Sequence, residues 1–422
     1  MRIGIVNIGD ELLSGKILNS NQFDLSRMLS PLGHEVAFGL VIGDDIRTLV
    51  DVLEWATRGS GEDPLTSNLD IVVLTGGLGP TRDDLTREAV ASFLGRKLVE
   101  DQQALGWLGA FLGKAADELP TGQRSQAAIP EETEPLRNPV GTACGFRFSD
   151  RDLRIYAFPG VPAELKSMAE LYLAPELQQE GILLEKVLWT FGWSESSQAQ
   201  AFSGLALGEP FKFSSLPEPR GVRLSLSCLA TATEKKSREA KLDALWIDLI
   251  RAIPPEAIVD ADGATLPEAV LKLLLARKAT VSVAESCTGG GLGVLLTEQP
   301  GSSVVFQKGF LTYSNQAKID LLGVAPETLQ SHGAVSEETA LAMVQGCLTR
   351  SGADYACAIT GIAGPDGGSP EKPVGTVWIS VASRQGAWAR RFQFRGDRTA
   401  VRSRSCYTGL NQLRLLISEK LS

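Results

Sequence analysis

The stretch DIVVLTGGLGPTRDDLTREAV, residues 70–90, joins an apolar, β-branched run to a glycine-rich loop and then to an amphipathic pattern. The short apolar run predicts a buried strand, and Pro80 ends it. We predict a helix after the proline, capped by Thr81 or Asp83, because short oxygen-bearing side chains cap helix starts. The apolar face of this helix would carry Leu85, Ala89, Val90 and Phe93. A strand that leads through a glycine loop into a helix is the repeating unit of α/β folds.

The same alternation of strand and helix patterns continues through most of the chain. Apolar strand patterns occupy residues 2–8, 35–43 and 154–158, and a helical pattern runs from Asp45 to about Thr57. A second series begins with a helical pattern near residue 265. The class predicted is α/β, with two three-layer α/β/α domains whose mainly parallel sheets carry helices on both faces.

A chain of 422 residues is too long for a single hydrophobic core. We predict an N-terminal domain over residues 1–175 and a C-terminal domain over residues 265–422. Strand patterns and one amphipathic helix between them predict a small α+β module over residues 176–253. Residues 254–264 begin with two prolines, which is typical of a linker.

Composition and charge exclude several classes of function. The 41 basic and 50 acidic residues give a net charge of −9, whereas binding to nucleic acid or to an anionic membrane needs a basic surface. No apolar run reaches membrane-spanning length, and the N-terminus enters a strand pattern without a signal peptide, so a cytoplasmic location is predicted. The six cysteines are scattered and form no CxxC pair, so neither a zinc site nor a disulfide framework is indicated.

The glycine loop within residues 70–90 has the composition of a phosphate and metal site. Ligands bind beyond the carboxyl ends of the strands in open α/β sheets, and glycine N–H groups turn readily toward an anion. The predicted phosphate contacts are Gly76, Gly77, Gly79 and Thr81. The predicted ligands of a divalent metal are Asp83, Asp84 and Glu11, which follows the first strand. The alternative is that the two aspartates only stabilise a helix start.

A second glycine cluster, VAESCTGGGLG at residues 283–293, offers a nucleophile. Ser286 and Cys287 stand between an apolar strand pattern and a helix start, where free N–H groups can stabilise an oxyanion. A serine needs a base, and His332 is the only histidine in this half of the chain. No strand end places His332 near Ser286. We therefore predict Lys318 as the base, because the first turn of a helix favours the neutral amine.

Tyr313 stands at the end of the strand pattern that precedes Lys318. At that position its hydroxyl would relay a proton or hold the lysine. The alternative to this whole constellation is that Ser286 caps a helix and Lys318 is a solvated surface charge. The sequence leaves both interpretations open.

A third glycine-rich loop, residues 357–375, again follows a buried strand pattern and borders the same cleft. The predicted substrate contacts in the two C-terminal loops are Thr288, Gly289, Gly290, Thr360, Gly361 and Gly364. Arg398 and Arg402 lie four residues apart, on one face of a helix start, where either can pair with a phosphate.

Longer motifs resemble the CinA family of competence/damage-inducible proteins. The resemblance to its N-terminal molybdopterin-binding-like domain rests on GDELLSGKILNSN, VLTGGLGPTRDDLTREAVA, NPVGTACGF and FPGVPAEL. The resemblance to its C-terminal domain, a nicotinamide mononucleotide deamidase, rests on VAESCTGGGLG, TYSNQAK, GAVSEETA and AITGIAGPDGGSPEKPVGTVW. The middle module is similar to the KH-like segment of the family. Its SSLPEPRGVRL departs from the family pattern, and it contains no GXXG loop that would support RNA binding.

The resemblance implies a bifunctional enzyme of pyridine-nucleotide salvage. The C-terminal domain would hydrolyse nicotinamide mononucleotide to nicotinate mononucleotide and ammonia without a cofactor. Its implied site residues are the nucleophile Ser286, the activating pair Lys318 and Tyr313, and the substrate contacts Thr360 and Arg398.

The N-terminal domain would hydrolyse ADP-ribose to AMP and ribose 5-phosphate with Mg²⁺, Mn²⁺ or Co²⁺, and K⁺ is a further candidate ion. The family is typically homodimeric. The alternative is an N-terminal domain that binds a nucleotide or a pterin without turnover and serves assembly or regulation.

Overall fold

The apolar run at residues 71–75 forms the buried strand that the sequence predicts, and it lies inside a six-stranded sheet. This computed structural model describes residues 1–58, 63–177, 181–205 and 208–421. The chain divides into two units, Met1–Leu183 with Leu229–Lys236 and Leu184–Cys228 with Ser237–Ser422. The second unit contains most of the stretch that the sequence assigns to a separate module.

The first part of the chain supplies the strands β1 (Arg2–Ile8), β2 (Glu35–Ile42), β3 (Ile71–Thr75), β4 (Leu98–Glu100), β5 (Ala128–Pro130), β6 (Glu134–Leu136), β7 (Gly145–Asp150) and β8 (Leu153–Phe158). Its α-helices are α1 (Asp10–Leu13), α2 (Ser20–Leu29), α3 (Ile46–Arg58), α4 (Thr86–Leu94), α5 (Gln102–Leu112), α6 (Thr121–Arg124) and α7 (Pro162–Met168). A π-helical turn, Ala169–Leu173, follows α7.

The N-terminal sheet has the order β2-β1-β3-β8-β7-β6. The first four strands are parallel, and β7 and β6 each pair antiparallel with the preceding strand of this order, so the sheet is mainly parallel, as predicted, with an antiparallel edge. Alternate side chains of β3 point to opposite faces. Ile71 and Val73 pack with α2 and α7, whereas Val72 and Leu74 pack with α3 and α4. The three-layer α/β/α arrangement is therefore confirmed.

The prediction for the start of α4 is wrong. The helix begins at Thr86, with Leu85 as its N-cap residue, and neither Thr81 nor Asp83 caps it. The reason is that the Asp84 carboxylate accepts hydrogen bonds from the loop before it, which keeps the chain in turns up to residue 85. The sequence patterns give no prediction between about residues 95 and 150, where the structure has α5, α6 and four short strands.

The rest of the chain supplies β9 (Ile182–Thr190), β10 (Lys212–Glu218), β11 (Gly221–Ala230), β12 (Ile258–Asp260), β13 (Val281–Glu285), β14 (Phe306–Leu311), β15 (Tyr355–Gly361), β16 (Thr376–Ser383) and β17 (Gly386–Gln393). The helices are α8 (Glu195–Phe202), α9 (Lys235–Arg251), α10 (Leu266–Arg277), α11 (Gly291–Thr297), α12 (Asn315–Leu322), α13 (Pro326–His332), α14 (Glu337–Ser351) and α15 (Arg398–Ile417). None of the helices in the described ranges is long and apolar enough to cross a bilayer.

The C-terminal sheet has the order β14-β13-β15-β16-β17, with the first three strands parallel and the last two antiparallel. Val281 and Val283 of β13 pack against α10, α11 and α15, whereas Ala284 packs against α12, α13 and α14. This is a second three-layer α/β/α unit. A separate four-stranded sheet has the order β10-β11-β9-β12, and β12 lies inside the stretch 254–264 that the sequence assigns to a linker.

Arg414, near the end of α15, joins residues 254–264 to that helix through hydrogen bonds. Its side chain is 2% exposed. The guanidinium donates to the carbonyls of Glu256 at 2.6 Å and Ile258 at 2.7 Å, and also to Asn411. These acceptors replace the water that the buried guanidinium has lost.

Arg414→Ala should therefore destabilise the chain, because it leaves two backbone carbonyls without their donors and opens a cavity. We expect a loss of about 2–4 kcal/mol, which calorimetry would detect as a lower unfolding temperature. Arg350→Ala, an exposed arginine at the end of α14, is the matched control and should leave the transition unchanged. Equal shifts in the two variants would contradict this role for Arg414.

Candidate functional site

Ser286 stands directly after β13, at the carboxyl end of the parallel strands. The register pairs Glu285 with the last residue of β14 on one side and with Ile359 of β15 on the other. The Ser286 N–H donates to the Ile359 carbonyl at 3.0 Å, and the side chain is 8% exposed. The residues that follow β14 and β15 therefore border the serine.

The Lys318 amine lies against this serine. Its Nζ is 3.2 Å from Ser286 Oγ and donates to the Thr312 carbonyl at 2.8 Å. The lysine side chain is 1% exposed, so it is not the solvated surface charge of the alternative interpretation. Burial lowers the pKa of Lys318, because the ammonium form loses its water. The sequence argument invoked the helix dipole, and the structure adds burial as a cause of a shift in the same direction.

The thiol of the neighbouring residue, Cys287, is a weak nucleophile. Cys287 is buried, and burial raises the pKa of its thiol to about 11. Only the thiolate is a strong nucleophile, so a thiol that stays protonated at neutral pH is a poor candidate for attack. Ser286 is the better candidate of the adjacent pair.

The glycine loop after Ser286 is held by hydrogen bonds from its own N–H groups to a backbone carbonyl and to a side-chain carboxylate. Gly290 has φ +96°, a left-handed conformation that a side chain would strain. The N–H groups of Gly289 and Gly290 already donate, to the Ser286 carbonyl and to a carboxylate, both at 3.1 Å. Of the N–H groups predicted for an oxyanion, those of Cys287 and Thr288 therefore remain the candidates. The Thr288 hydroxyl is buried and has no hydrogen-bond partner within the described residues.

The two arginines of the helix start contact different loops. α15 begins at Arg398, whose guanidinium donates to the Gly364 carbonyl at 2.7 Å and to the Tyr313 hydroxyl at 3.1 Å. Arg402 donates to the Thr288 carbonyl at 2.8 Å. The Tyr313 side chain is 65% exposed, and its hydroxyl partner is this arginine rather than the buried lysine.

The third loop also reaches the site. The buried Thr360 hydroxyl donates to the Ala334 carbonyl at 2.7 Å, and Gly361 is the last residue of β15. His332 is engaged elsewhere, since its Nδ1 lies 3.2 Å from Glu338 Oε1 at the surface. The histidine therefore takes no part in the arrangement around the serine.

Sequence reasoning missed Glu285 and Thr312. The Glu285 carboxylate is buried and accepts from the N–H groups of Gly290, Leu292 and Gly293. The Thr312 carbonyl accepts from the lysine amine. An acidic residue that ends an apolar strand just before a glycine cluster is the signal that would have identified the first of these. A backbone carbonyl leaves no signal in a sequence.

The N-terminal glycine loop lies at the edge of a cavity of about 550 Å³. Of the predicted residues, Gly76, Gly77, Gly79, Glu11, Asp83 and Asp84 line this cavity. Asp44, from the loop after β2, also lines it and was not predicted. Thr81 belongs to the loop without lining the cavity.

Most of the predicted phosphate donors are already used inside the protein. The Asp84 carboxylate accepts from the N–H groups of Gly79 at 2.8 Å and Thr81 at 2.7 Å. The Gly76 N–H donates to a strand carbonyl at 3.0 Å. Binding of a phosphate at this loop therefore depends on the Gly77 N–H, or on Asp84 giving up its hydrogen bonds from the Gly79 and Thr81 N–H groups.

The carboxylates around the cavity suit a cation. Burial raises the pKa of Asp44, and the charges of Asp10, Glu11 and Asp83 raise it further, against a hydrogen bond from the Asp10 N–H. Within the described residues, no three His, Cys, Asp or Glu side chains form a ready metal site. Mg²⁺ commonly takes one or two carboxylates and completes its shell with substrate phosphates and water. Glu11, Asp44 and Asp83 fit that kind of binding better than Asp84.

Comparisons with known proteins agree with the fold. The family model described as CinA C-terminal domain matches residues 263–417, and that described as probable molybdopterin binding domain matches residues 4–179. A CinA-like protein from Geotalea daltonii is 38% identical over 423 residues, which cover 98% of both chains. A putative competence-damage inducible protein from Symbiobacterium thermophilum is 39% identical over 97% of both chains. This chain belongs to the CinA family.

A solved structure also matches the chain in part. The competence/damage inducible protein CihA from Agrobacterium tumefaciens is 44% identical, covers 36% of this chain and 93% of its own, and has a TM-score of 0.36.

The different roles of the two aspartates lead to a stability prediction. Asp84→Ala should lower the unfolding temperature, because the loop N–H groups lose their acceptor, at a cost of about 1–2 kcal/mol. Asp83→Ala removes an exposed carboxylate from the same turn and should leave the calorimetric transition in place. A larger shift for Asp83→Ala than for Asp84→Ala would contradict this assignment.

Proposed function

We propose that the C-terminal domain hydrolyses the carboxamide of nicotinamide mononucleotide to nicotinate mononucleotide and ammonia. The observation that supports this proposal is the buried Lys318 amine, 3.2 Å from Ser286 Oγ. A neutral amine within hydrogen-bond reach of a serine is able to act as its general base. The identity of the substrate rests on the resemblance to the CinA family.

In the proposed reaction, neutral Lys318 takes the hydroxyl proton and Ser286 Oγ forms a bond to the amide carbon. The N–H groups of Cys287 and Thr288 stabilise the resulting oxyanion. The C–N bond then breaks, and ammonia leaves with the proton that Lys318 carries. A water molecule, deprotonated by the same amine, hydrolyses the ester and restores the serine.

Arg398 is the proposed contact of the substrate phosphate. Its guanidinium is exposed at the start of α15, beside Tyr313 and the third loop. Arg402 instead supports the nucleophile loop through the Thr288 carbonyl. The choice of Arg398 rests on the family resemblance and on its exposure, and a phosphate would replace its hydrogen bonds to the Gly364 carbonyl or the Tyr313 hydroxyl.

Variants of the Ser–Lys pair test this proposal. Ser286→Ala should abolish ammonia release, and Lys318→Met should lower kcat about 10²–10⁴-fold because the base is lost. The exposed Lys308→Met is the matched control and should keep wild-type activity. Near-normal ammonia release by Ser286→Ala would refute the mechanism.

The pH dependence of the proposed deamidation follows from the lowered pKa of Lys318. Only neutral Lys318 is a base, so kcat/KM should rise with pH and level off below 10.5, the ordinary pKa of lysine. Lys318→Met should lose this rise. A wild-type profile that still climbs through pH 10.5 would exclude a buried lysine as the base.

For the N-terminal domain we propose metal-dependent hydrolysis of ADP-ribose to AMP and ribose 5-phosphate. The support is the cavity of about 550 Å³, with its glycine loop and carboxylates, at the carboxyl edge of the sheet. Glu11, Asp44 and Asp83 would hold the divalent ion, which would neutralise charge on the pyrophosphate. The competing function is binding of a nucleotide or a pterin without turnover, since much of the loop is closed by Asp84.

Product analysis separates these two functions. With Mg²⁺, Mn²⁺ or Co²⁺, the full-length chain should convert ADP-ribose to AMP and ribose 5-phosphate. Asp83→Ala should lose this activity and keep deamidation, which serves as the internal control for folding. Calorimetric binding of ADP-ribose with no product under any of the three ions would favour the binding function instead.

A further inference from the structure

Glu285 is a buried charge to which the proposed mechanism assigns no role. It ends β13 directly before the nucleophile, and it is 1% exposed. Burial of a carboxylate is costly unless hydrogen bonds replace its water. Its position beside Ser286 therefore calls for a physical account.

Three backbone N–H groups replace that water. Gly290 at 3.1 Å and Leu292 at 3.0 Å donate to Oε2, and Gly293 at 2.8 Å donates to Oε1. A carboxylate oxygen accepts hydrogen bonds, so each of the three contacts joins a backbone donor to a side-chain acceptor. The side chain thereby ties the end of β13 to the far end of the glycine loop and to the first residues of α11.

The main chain of the same residue leads to the base. The Glu285 carbonyl accepts from the Thr312 N–H at 2.8 Å, and the Thr312 carbonyl accepts from the Lys318 amine at 2.8 Å. One residue thus supports both partners of Ser286, the loop through its side chain and the lysine through its backbone. A change in the side chain disturbs only the first of these supports.

We propose that Glu285 is a positioning residue of the deamidase site, whose carboxylate holds loop 287–291 so that the N–H groups of Cys287 and Thr288 stabilise the oxyanion. This inference rests on the proposed function. Its consequence is specific: the loop interaction matters in the transition state, whereas the base and the phosphate contact do not involve the Glu285 side chain.

Glu285→Gln tests the proposal, because the amide keeps the shape but replaces one of the two accepting oxygens with an NH₂ group that faces a backbone N–H. We expect kcat for nicotinamide mononucleotide to fall roughly 10–100-fold, with KM within about two-fold of wild type. The pH profile of kcat/KM should not move, since the lysine is held through the main chain. Amide hydrogen exchange at Gly290, Leu292 and Gly293 should accelerate, whether or not this nucleotide is the substrate.

Glu298→Gln is the matched control, an exposed glutamate at the end of α11, and should match wild type in every readout. Glu285→Asp keeps the carboxylate but has a shorter reach, so its kcat should also fall. This variant replaces Glu285→Gln in the experiment if Glu285→Gln fails to fold. Rates are compared about 15 °C below each Tm, with the folded fraction measured by circular dichroism.

The proposal is overturned if folded Glu285→Gln keeps kcat within about two-fold of wild type, or if its loss equals the unfolded fraction. A shifted pH profile would also overturn it, because it would give the side chain a role in the base. Failure of the proposed function is a separate outcome: the wild-type chain would release no ammonia, while the exchange experiment would still report on the loop.

Discussion

The burial of Lys318 is the constraint on which the C-terminal site depends. An amine that is 1% exposed, with a backbone carbonyl and a serine hydroxyl as its partners, is costly to keep charged. The same burial that disfavours the ammonium form supports the proposal that Lys318 is the base of Ser286. The scaffold supplies this environment by packing α12 against α14 and by ending β14 beside β13. The fold itself therefore determines the chemical state of the lysine.

The two glycine loops share a second physical feature. In each of them a carboxylate accepts hydrogen bonds from N–H groups that would otherwise be open to a ligand, Asp84 in the N-terminal loop and Glu285 in the C-terminal one. The consequences differ because of what stands beside each loop. In the C-terminal domain the N–H groups nearest the nucleophile remain available. In the N-terminal domain the loop is largely closed, and the open side of the cavity is lined by other carboxylates.

The fold class was predictable because apolar strands and amphipathic helices leave periodic patterns. β1, β2, α3 and α10 begin within about one residue of their predicted positions. The start of α4 was not predicted correctly, because a turn held by the Asp84 carboxylate competes with helix capping at Thr81 or Asp83. The Ser286–Lys318 contact was one of two interpretations that the sequence left open, and the structure places the two side chains 3.2 Å apart. The roles of Glu285 and of the Thr312 carbonyl did not, since they arise from burial and backbone geometry that no motif records.

Direct titration of the lysine amines tests the central claim of this account. The protein would be labelled with ¹⁵N at every lysine Nζ, and the resonances followed by NMR against pH. The account predicts one resonance that titrates clearly below 10.5, the ordinary lysine value, and that disappears in Lys318→Met. If every lysine titrates at its ordinary value, and Lys318→Met removes only one of these, then the amine beside Ser286 is charged and the proposed base does not exist.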